Sequence, residues 1–174
     1  YIFSTSNVMK DETKKYTDKD IEVTPFGVDI NRFVPGRMEK DEVIIGTIKT
    51  LEEKYGIQYL VKAFGLLKDR NPGINLKLRI GGRGSQEEYL KNLCKELNID
   101  NDVTFLGFVN PDDVVKEFQN FDIAVFPSTL DSESFGVAAV EAESCGTPIV
   151  VSDVGGLMES TKPGVTSLVA KKAS

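Results

Sequence analysis

The sequence predicts an α/β domain, a Rossmann-like doubly wound parallel sheet. Three observations predict it. Runs of β-branched residues alternate with stretches of helical period, the pattern of strand–helix–strand units. The first clear run, Val43 to Ile48, is β-branched except at Gly46, as expected for a strand covered on both faces. Polar and glycine-rich loops follow the strand-like runs, and in such a sheet they gather at one edge. The 174 residues suffice for one domain with its own core.

Residues 1–3 read as the tail of a strand entered mid-stream, which suggests a piece of a longer protein. Thr5 or Ser6 can cap a short helix running to about Tyr16. Thr17 to Asp20 is turn-like, and Ile21 to Pro25 reads as a short strand. Phe26 to Phe33 is a loop or a single helical turn. Pro35-Gly36 interrupts the chain, and Arg37 to Asp41 is a charged connector.

From Val43 the order becomes regular. The strand Val43 to Ile48 is broken only by Gly46. Ile57, Leu60, Val61, Phe64 and Leu67 then recur at spacings of three and four, which puts them on one helix face. Lys68 ends that stripe in solvent, and Asn71-Pro72-Gly73 stops the helix. Asn75 to Ile80 alternates as a strand. Gly81 to Gly84 turns into a helix capped by Ser85, with Glu87 and Glu88 where the helix dipole favours acids. Its apolar face is Leu90, Leu93, Cys94 and Leu97. Val103 to Leu106 is the next strand. Pro111 opens a helix with Asp112 and Asp113 in its first turn and Val114, Val115 and Phe118 facing inward. Ile123 to Phe126, Ile149 to Val151 and Thr166 to Ala170 complete the strands, and a helix is expected from near Phe135.

Composition excludes several chemistries. The net charge of -6 argues against nucleic acid as a partner. The sequence contains no histidine, which removes Ser-His-Asp and Cys-His nucleophile arrangements within this chain. With only Cys94 and Cys145, it offers neither an ordinary zinc site nor a disulfide framework. No metal or cofactor is expected. A reducing compartment fits this cysteine usage, and a cytoplasmic location is the expectation. No apolar run approaches the roughly 18 residues of a membrane span.

Lys49 and Lys54 follow the first strand of the regular region. They read as a solvated pair near Glu52 and Glu53 or as a clamp for a diphosphate. Gly81-Gly82-Arg83-Gly84 reads as an anion-binding nest or as a plain tight turn. The first strand–helix loop lacks Gly-x-Gly-x-x-Gly, which disfavours a dinucleotide dehydrogenase. The sharpest feature is Glu133 and Glu141, flanking the apolar run Phe135 to Val140. On one helix, eight residues separate them by about 12 Å and rotate them about 80° apart, too far for a carboxylate pair. With Glu133 in the loop and Glu141 two turns inside, a diphosphate at the helix N-terminus would have a sugar on one side and a ribose on the other. A carboxylate suits the vicinal hydroxyls of either.

The stretch Glu133-Ser134-Phe135-Gly136-Val137-Ala138-Ala139-Val140-Glu141 resembles the Glu-x7-Glu motif of retaining glycosyltransferases of the GT-B fold, family 4, known as glycosyl transferases group 1. Val23-Thr24-Pro25-Phe26-Gly27-Val28-Asp29 through Phe33, the helix from Gly56 to Phe64, Phe105 to Val109, Asp122 to Ser128 and Cys145 to Val150 are similar to family blocks in the same order. The resemblance implies the C-terminal half of a GT-B fold. Residues 1–38 would be a linker segment from an N-terminal acceptor domain, and 39–174 a nucleotide-sugar-binding domain that ends before the usual final helices.

The same resemblance implies roles. Lys54 would meet the donor diphosphate. Thr47 stands where the family has Gly-Arg-Leu, so Lys49 would substitute for the arginine. Glu133 would contact donor-sugar hydroxyls as a positioning group, with the backbone of Ser134, Phe135, Gly136 and Val137 on sugar and phosphate. Glu141 would take the ribose diol, Phe108 and Val109 would flank the base, and Arg83 would face the nucleotide. The implied reaction is sugar transfer from a nucleoside-diphosphate sugar to a glycan or lipid-linked acceptor, usually without metal. Membrane contact would be peripheral and through the other domain only. A nucleotide-sugar 2-epimerase and a non-catalytic binding module are the alternatives.

Overall fold

Two parallel sheets organise the chain. The computed structural model describes residues 1–36 and 38–172; Arg37 of the expected connector, and Ala173 and Ser174 at the end of the expected domain, lie outside the described residues. The smaller sheet pairs β1 (Ile2–Ser4) with β2 (Ile21–Val23), linked by α1 (Asn7–Lys14). Ser6 caps α1 by accepting from the Met9 N–H, so the second of the two expected caps is the one used.

The larger sheet carries β3 (Val43–Ile48), β4 (Leu76–Gly81), β5 (Val103–Gly107), β6 (Ile123–Phe126), β7 (Ile149–Ser152) and β8 (Ser167–Ala170). All six are parallel, in the order β5-β4-β3-β6-β7-β8. The connecting helices are α2 (Ile57–Arg70), α3 (Glu87–Glu96), α4 (Pro111–Asn120), α5 (Val137–Ser144) and α6 (Gly155–Ser160).

Two cores result, one on each face. On one face Ile45, Leu78 and Ile80 meet Leu60, Val61 and Phe64 of α2 and Leu90, Leu93 and Cys94 of α3. On the other, Ile44, Ala124, Phe126, Ile149 and Val151 meet Phe118 of α4 and Ala139 and Ala142 of α5. Phe33, from the segment before β3, belongs to this second core. Alternation explains the split: Ile44 and Ile45 are neighbours in β3 and point to opposite faces. Gly46 interrupts the branched run because the Phe121 ring lies under it; a Cβ there would fall 2.3 Å from the ring. Each fully buried aliphatic or aromatic side chain contributes about 1.5–3 kcal/mol.

Several local expectations are corrected. Ser85 does not cap α3; Gln86 precedes that helix without a side-chain cap, and Ser85 instead donates its N–H and hydroxyl to Glu52. Lys68 does not end its stripe in solvent but pairs, with Lys77, on Asp102. These two ammonium groups, Lys68 first, hold the Asp102 carboxyl below its usual value. Leu67 is 37% exposed because no described helix covers β6 to β8 on the α2 side. An apolar groove of about 400 Å³ runs there, lined by Leu67, Val125, Val150 and Ala170. Cys94 and Cys145 are free and buried, and burial pushes both thiols up to about 11.

The Thr47 hydroxyl in β3 is buried, and among the described residues it has no hydrogen-bond partner. Thr47→Val keeps the shape and removes the orphaned group, so it is expected to raise stability by about 1 kcal/mol. A urea melt with an unchanged slope and a higher midpoint would show this; a lower midpoint would mean the hydroxyl is satisfied.

Candidate functional site

The strand order reverses between β3 and β6: the chain runs outward to β4 and β5 on one side and to β7 and β8 on the other. The loops leaving these two central strands therefore diverge and open a crevice at their carboxyl ends. Their backbones are also tied together. The Thr129 N–H and hydroxyl both donate to the Lys54 carbonyl, at 2.9 and 3.1 Å. Gly56 turns into α2 in the left-handed region at φ 67°, where a Cβ would strike the Pro127 carbonyl.

Lys49, the first residue beyond β3, reaches across the crevice. Its ammonium lies 2.6 Å from Glu133 Oε2, with side-chain exposures of 20% and 11%. The Ser128 hydroxyl, at 3.4 Å, is a second donor to that carboxylate. Lys49 and Lys54 share one aromatic ring, their Nζ atoms 4.5 and 5.0 Å from the centroid of Tyr55. Two cations held over one ring at a strand end suit a polyanion.

Glu141 is half-buried, and among the described residues its carboxylate has no hydrogen-bond or ion-pair partner. Burial pushes its carboxyl up from the usual value, while the charges of Arg32 and Lys49 oppose this. Lys49 thus touches Glu133 and its field also reaches Glu141. Glu143 is also partly buried; among the described residues its Oε1 has no hydrogen-bond partner, and burial raises its carboxyl.

Between the two site carboxylates the chain offers donors. The helix expected from near Phe135 begins at Val137, because Gly136 adopts the left-handed conformation at φ 80° and serves as its N-cap. Among the described residues the N–H groups of Ser134 through Ala138 have no acceptor. This is a loop of free donors running into a helix N-terminus, the arrangement that favours anions. Phe135 is buried and meets Phe26 edge-on at 5.8 Å.

The Gly81–Gly84 turn serves packing. The Gly82 N–H donates to the Gly107 carbonyl, the Ser85 N–H to Glu52 and the Gln86 N–H to Leu51. Gly82 and Gly84 lie against the carbonyls of Lys49 and Leu51, where a Cβ would come within 1.9 and 2.3 Å. Arg83 is exposed, with its Nε beside Gly107. Phe108 is 62% exposed, and Val109 packs on Gly81. Arg83, Phe108 and Val109 therefore sit together at the β4–β5 end, next to the β3 loop that carries Lys49 and Lys54.

The sequence has counterparts among known proteins. It matches the family described as Glycosyl transferases group 1 over residues 29–174. The chain belongs to the glycosyl transferases group 1 family. An uncharacterised glycosyltransferase of Methanocaldococcus jannaschii is 41% identical to this group 1 domain over 131 residues, which are 75% of this chain and 32% of that protein. A D-inositol 3-phosphate glycosyltransferase of Pseudarthrobacter chlorophenolicus is 38% identical over 160 residues, 86% of this chain and 38% of that protein. The chain thus spans about a third of the length of these relatives. The Anabaena protein HepE, solved with UDP and glucose, superposes with a TM-score of 0.83 at 22% identity, over 98% of this chain and 49% of HepE. Such neighbours are GT-B glycosyltransferases, and they establish the fold.

Sequence reasoning missed three residues of this group 1 site: Arg32, Ser128 and Tyr55. Arg32 donates to the Pro111 carbonyl, lies 3.8 Å from Asp112 and adds positive charge near Glu141. It stood inside a recognisable block, but nothing in the spacing tied it to a carboxylate 109 positions later. Tyr55, adjacent to Lys54, was readable as a ring for the two lysines.

Glu141 also yields a pH test. A carboxyl raised above its usual 4.5 favours the protonated folded state. Its stabilising contribution is full below the unfolded value and is lost as pH rises through the folded one. At neutral pH the unliganded group 1 domain therefore carries a penalty, screened in part by solvent at this half-exposed position. Glu141→Gln is expected to raise Tm by roughly 2–4 °C at pH 7, about 1 kcal/mol, with the gain shrinking near pH 4. Equal gains at both pH values would show that the effect is not ionisation.

Proposed function

We propose that this chain is the donor-binding, C-terminal domain of a retaining glycosyltransferase of family 4. The observation that carries the reading is Lys49 between Glu133 and Glu141, with the free N–H groups of Ser134 to Ala138 beside it. A nucleoside-diphosphate sugar matches that order of groups. Its diphosphate meets Lys49, Lys54 and the helix N-terminus, its sugar hydroxyls meet Glu133, and its ribose diol meets Glu141. Arg83, Phe108 and Val109 flank the base from the β4–β5 end. The UDP and glucose bound in HepE support this class of ligand.

In the reaction, the bond from the anomeric carbon to the diphosphate oxygen breaks, and negative charge grows on the departing diphosphate. The two ammonium groups and the helix N-terminus stabilise that charge, where preorganised donors are worth most. Glu133 holds the sugar in place. The lysines supply positive charge at the diphosphate, so a metal is not part of this reading. A glycan or lipid-linked glycan is the acceptor class, held by a separate domain of a cytoplasmic enzyme that meets the membrane, where it does, through that domain. The family match favours transfer over the epimerase alternative.

The test is a thermal-shift panel of UDP-, GDP- and ADP-sugars on the wild type and Glu141→Ala. A donor-dependent rise in Tm that is lost in the variant is expected. No shift with any donor would sink the reading, and an unchanged shift in Glu141→Ala would remove the ribose role. The 174 residues alone are expected to transfer no sugar, measurable as release of labelled nucleoside diphosphate with and without acceptor.

A further inference from the structure

The loop that carries Glu133 is held from behind by α6. Gly156 of α6 lies directly against it: a Cβ there would stand 2.1 Å from the Glu133 carbonyl and 2.7 Å from the Phe135 nitrogen. The next residue, Leu157, is buried, and its Cδ2 fills the space beside Gly136. At Gly156 no side chain separates helix from loop, so a displacement of α6 is passed to the loop without slack.

The other side of α6 is gripped by the small N-terminal unit. The Glu159 carboxylate accepts from the Asn7 N–H at 2.8 Å, the Val8 N–H at 2.7 Å and the Asn7 amide at 3.0 Å. Gly155 presses on Val8. An acid at a helix N-terminus, satisfying two orphan donors, is a strong anchor. The same N-terminal unit reaches the loop a second time, through Phe26 on Phe135. Glu159 stands 26 positions beyond Glu133 and touches neither it nor Lys49.

We infer that Glu159 is a positioning residue for the sugar end of the donor site: by anchoring α6 to α1 it sets where Glu133 to Phe135 stand. This rests on the donor reading above. The anchor acts on the loop that would meet the sugar, while Lys49, Lys54 and Glu141 are carried by other segments. Its loss therefore weakens recognition of the sugar, which rests on Glu133, more than recognition of the nucleotide, which Lys49, Lys54 and Glu141 also hold.

The experiment uses the full chain with Glu159→Ala, Glu159→Gln and, as a control, Glu117→Ala, which breaks the Arg79 pair without touching α6. Amide exchange by NMR is read at Glu133, Ala139 and Val140, whose acceptors are the Leu130 and Gly136 carbonyls. Exchange about tenfold faster in Glu159→Ala, less so in Glu159→Gln and unchanged in the control supports the inference. Faster exchange confined to α1 overturns it. Calorimetry with UDP and UDP-glucose is the second reading. A loss of UDP-glucose affinity about tenfold greater than the loss of UDP affinity supports positioning; equal losses for both overturn it. If the wild type binds no UDP-glucose, the donor reading fails for that sugar, and the exchange rates alone decide whether Glu159 sets the loop.

Discussion

Lys49→Met is expected to lower both stability and affinity, and a second substitution separates the two effects. The variant removes the ammonium 2.6 Å from Glu133 and leaves that carboxylate with the Ser128 hydroxyl alone. A partly buried charge stripped of its partner costs about 2 kcal/mol, less than in a dry core because both groups retain some solvent. Tm should fall by roughly 4–8 °C. The same ammonium would make a charge-assisted bond to a diphosphate worth about 1.5–3 kcal/mol, so UDP should bind about 10- to 100-fold more weakly. Adding Glu133→Gln removes the orphaned charge. The double variant should recover most of the lost Tm while UDP binding stays weak. If affinity returned together with Tm, Lys49 would act through the fold alone.

Gly82→Ala is expected to be the more damaging change, although position 82 carries no chemistry. Gly82 has φ 125°, a region that disfavours any L side chain. A Cβ there would also fall 1.9 Å from the Lys49 carbonyl, which is backbone and cannot rotate away. Strain and overpacking together should cost about 3–5 kcal/mol. The relief route is to push the Lys49 backbone outward, which carries its ammonium away from Glu133. Gly73→Ala is the control: nothing lies within 4 Å of a Cβ there, and the change should stay within about 0.5 kcal/mol. Chemical denaturation measures both. A loss below about 1 kcal/mol for Gly82→Ala would mean the turn shifts freely and does not support Lys49.

Particular residues show why some of this was legible in the sequence. The strand Val43–Ile48, the strand Ile123–Phe126 and the helix from Pro111 fall where the pattern placed them. Branched runs, helical spacing and first-turn acids act within a few residues. Ser85 was misread because Ser before Glu87 and Glu88 has a local capping signature, yet Glu52 competes for it from 33 residues away. Lys68 was misread for the same reason: its partner, Asp102, comes from another element. Glu133 and Glu141 were found by spacing, and the geometry that keeps them apart on a helix also followed from spacing. The Lys49 pairing was not legible, since no local rule selects Glu133 over the nearer Glu52 and Glu53.

The sequence by itself determined the α/β class, the parallel strand–helix order, the chemistries excluded by the lack of histidine, and the two glutamates with donors between them. These depend on composition and on periods of two and 3.6, which short segments carry without help. Only the tertiary structure decided that β3 lies beside β6, so that Lys49 meets Glu133 across 84 positions and Glu159 meets Asn7 across 152. Strand order and long-range pairing are set by which apolar faces bury one another and by where left-handed glycines let backbones touch. Those are properties of the packed whole, absent from any window of the chain.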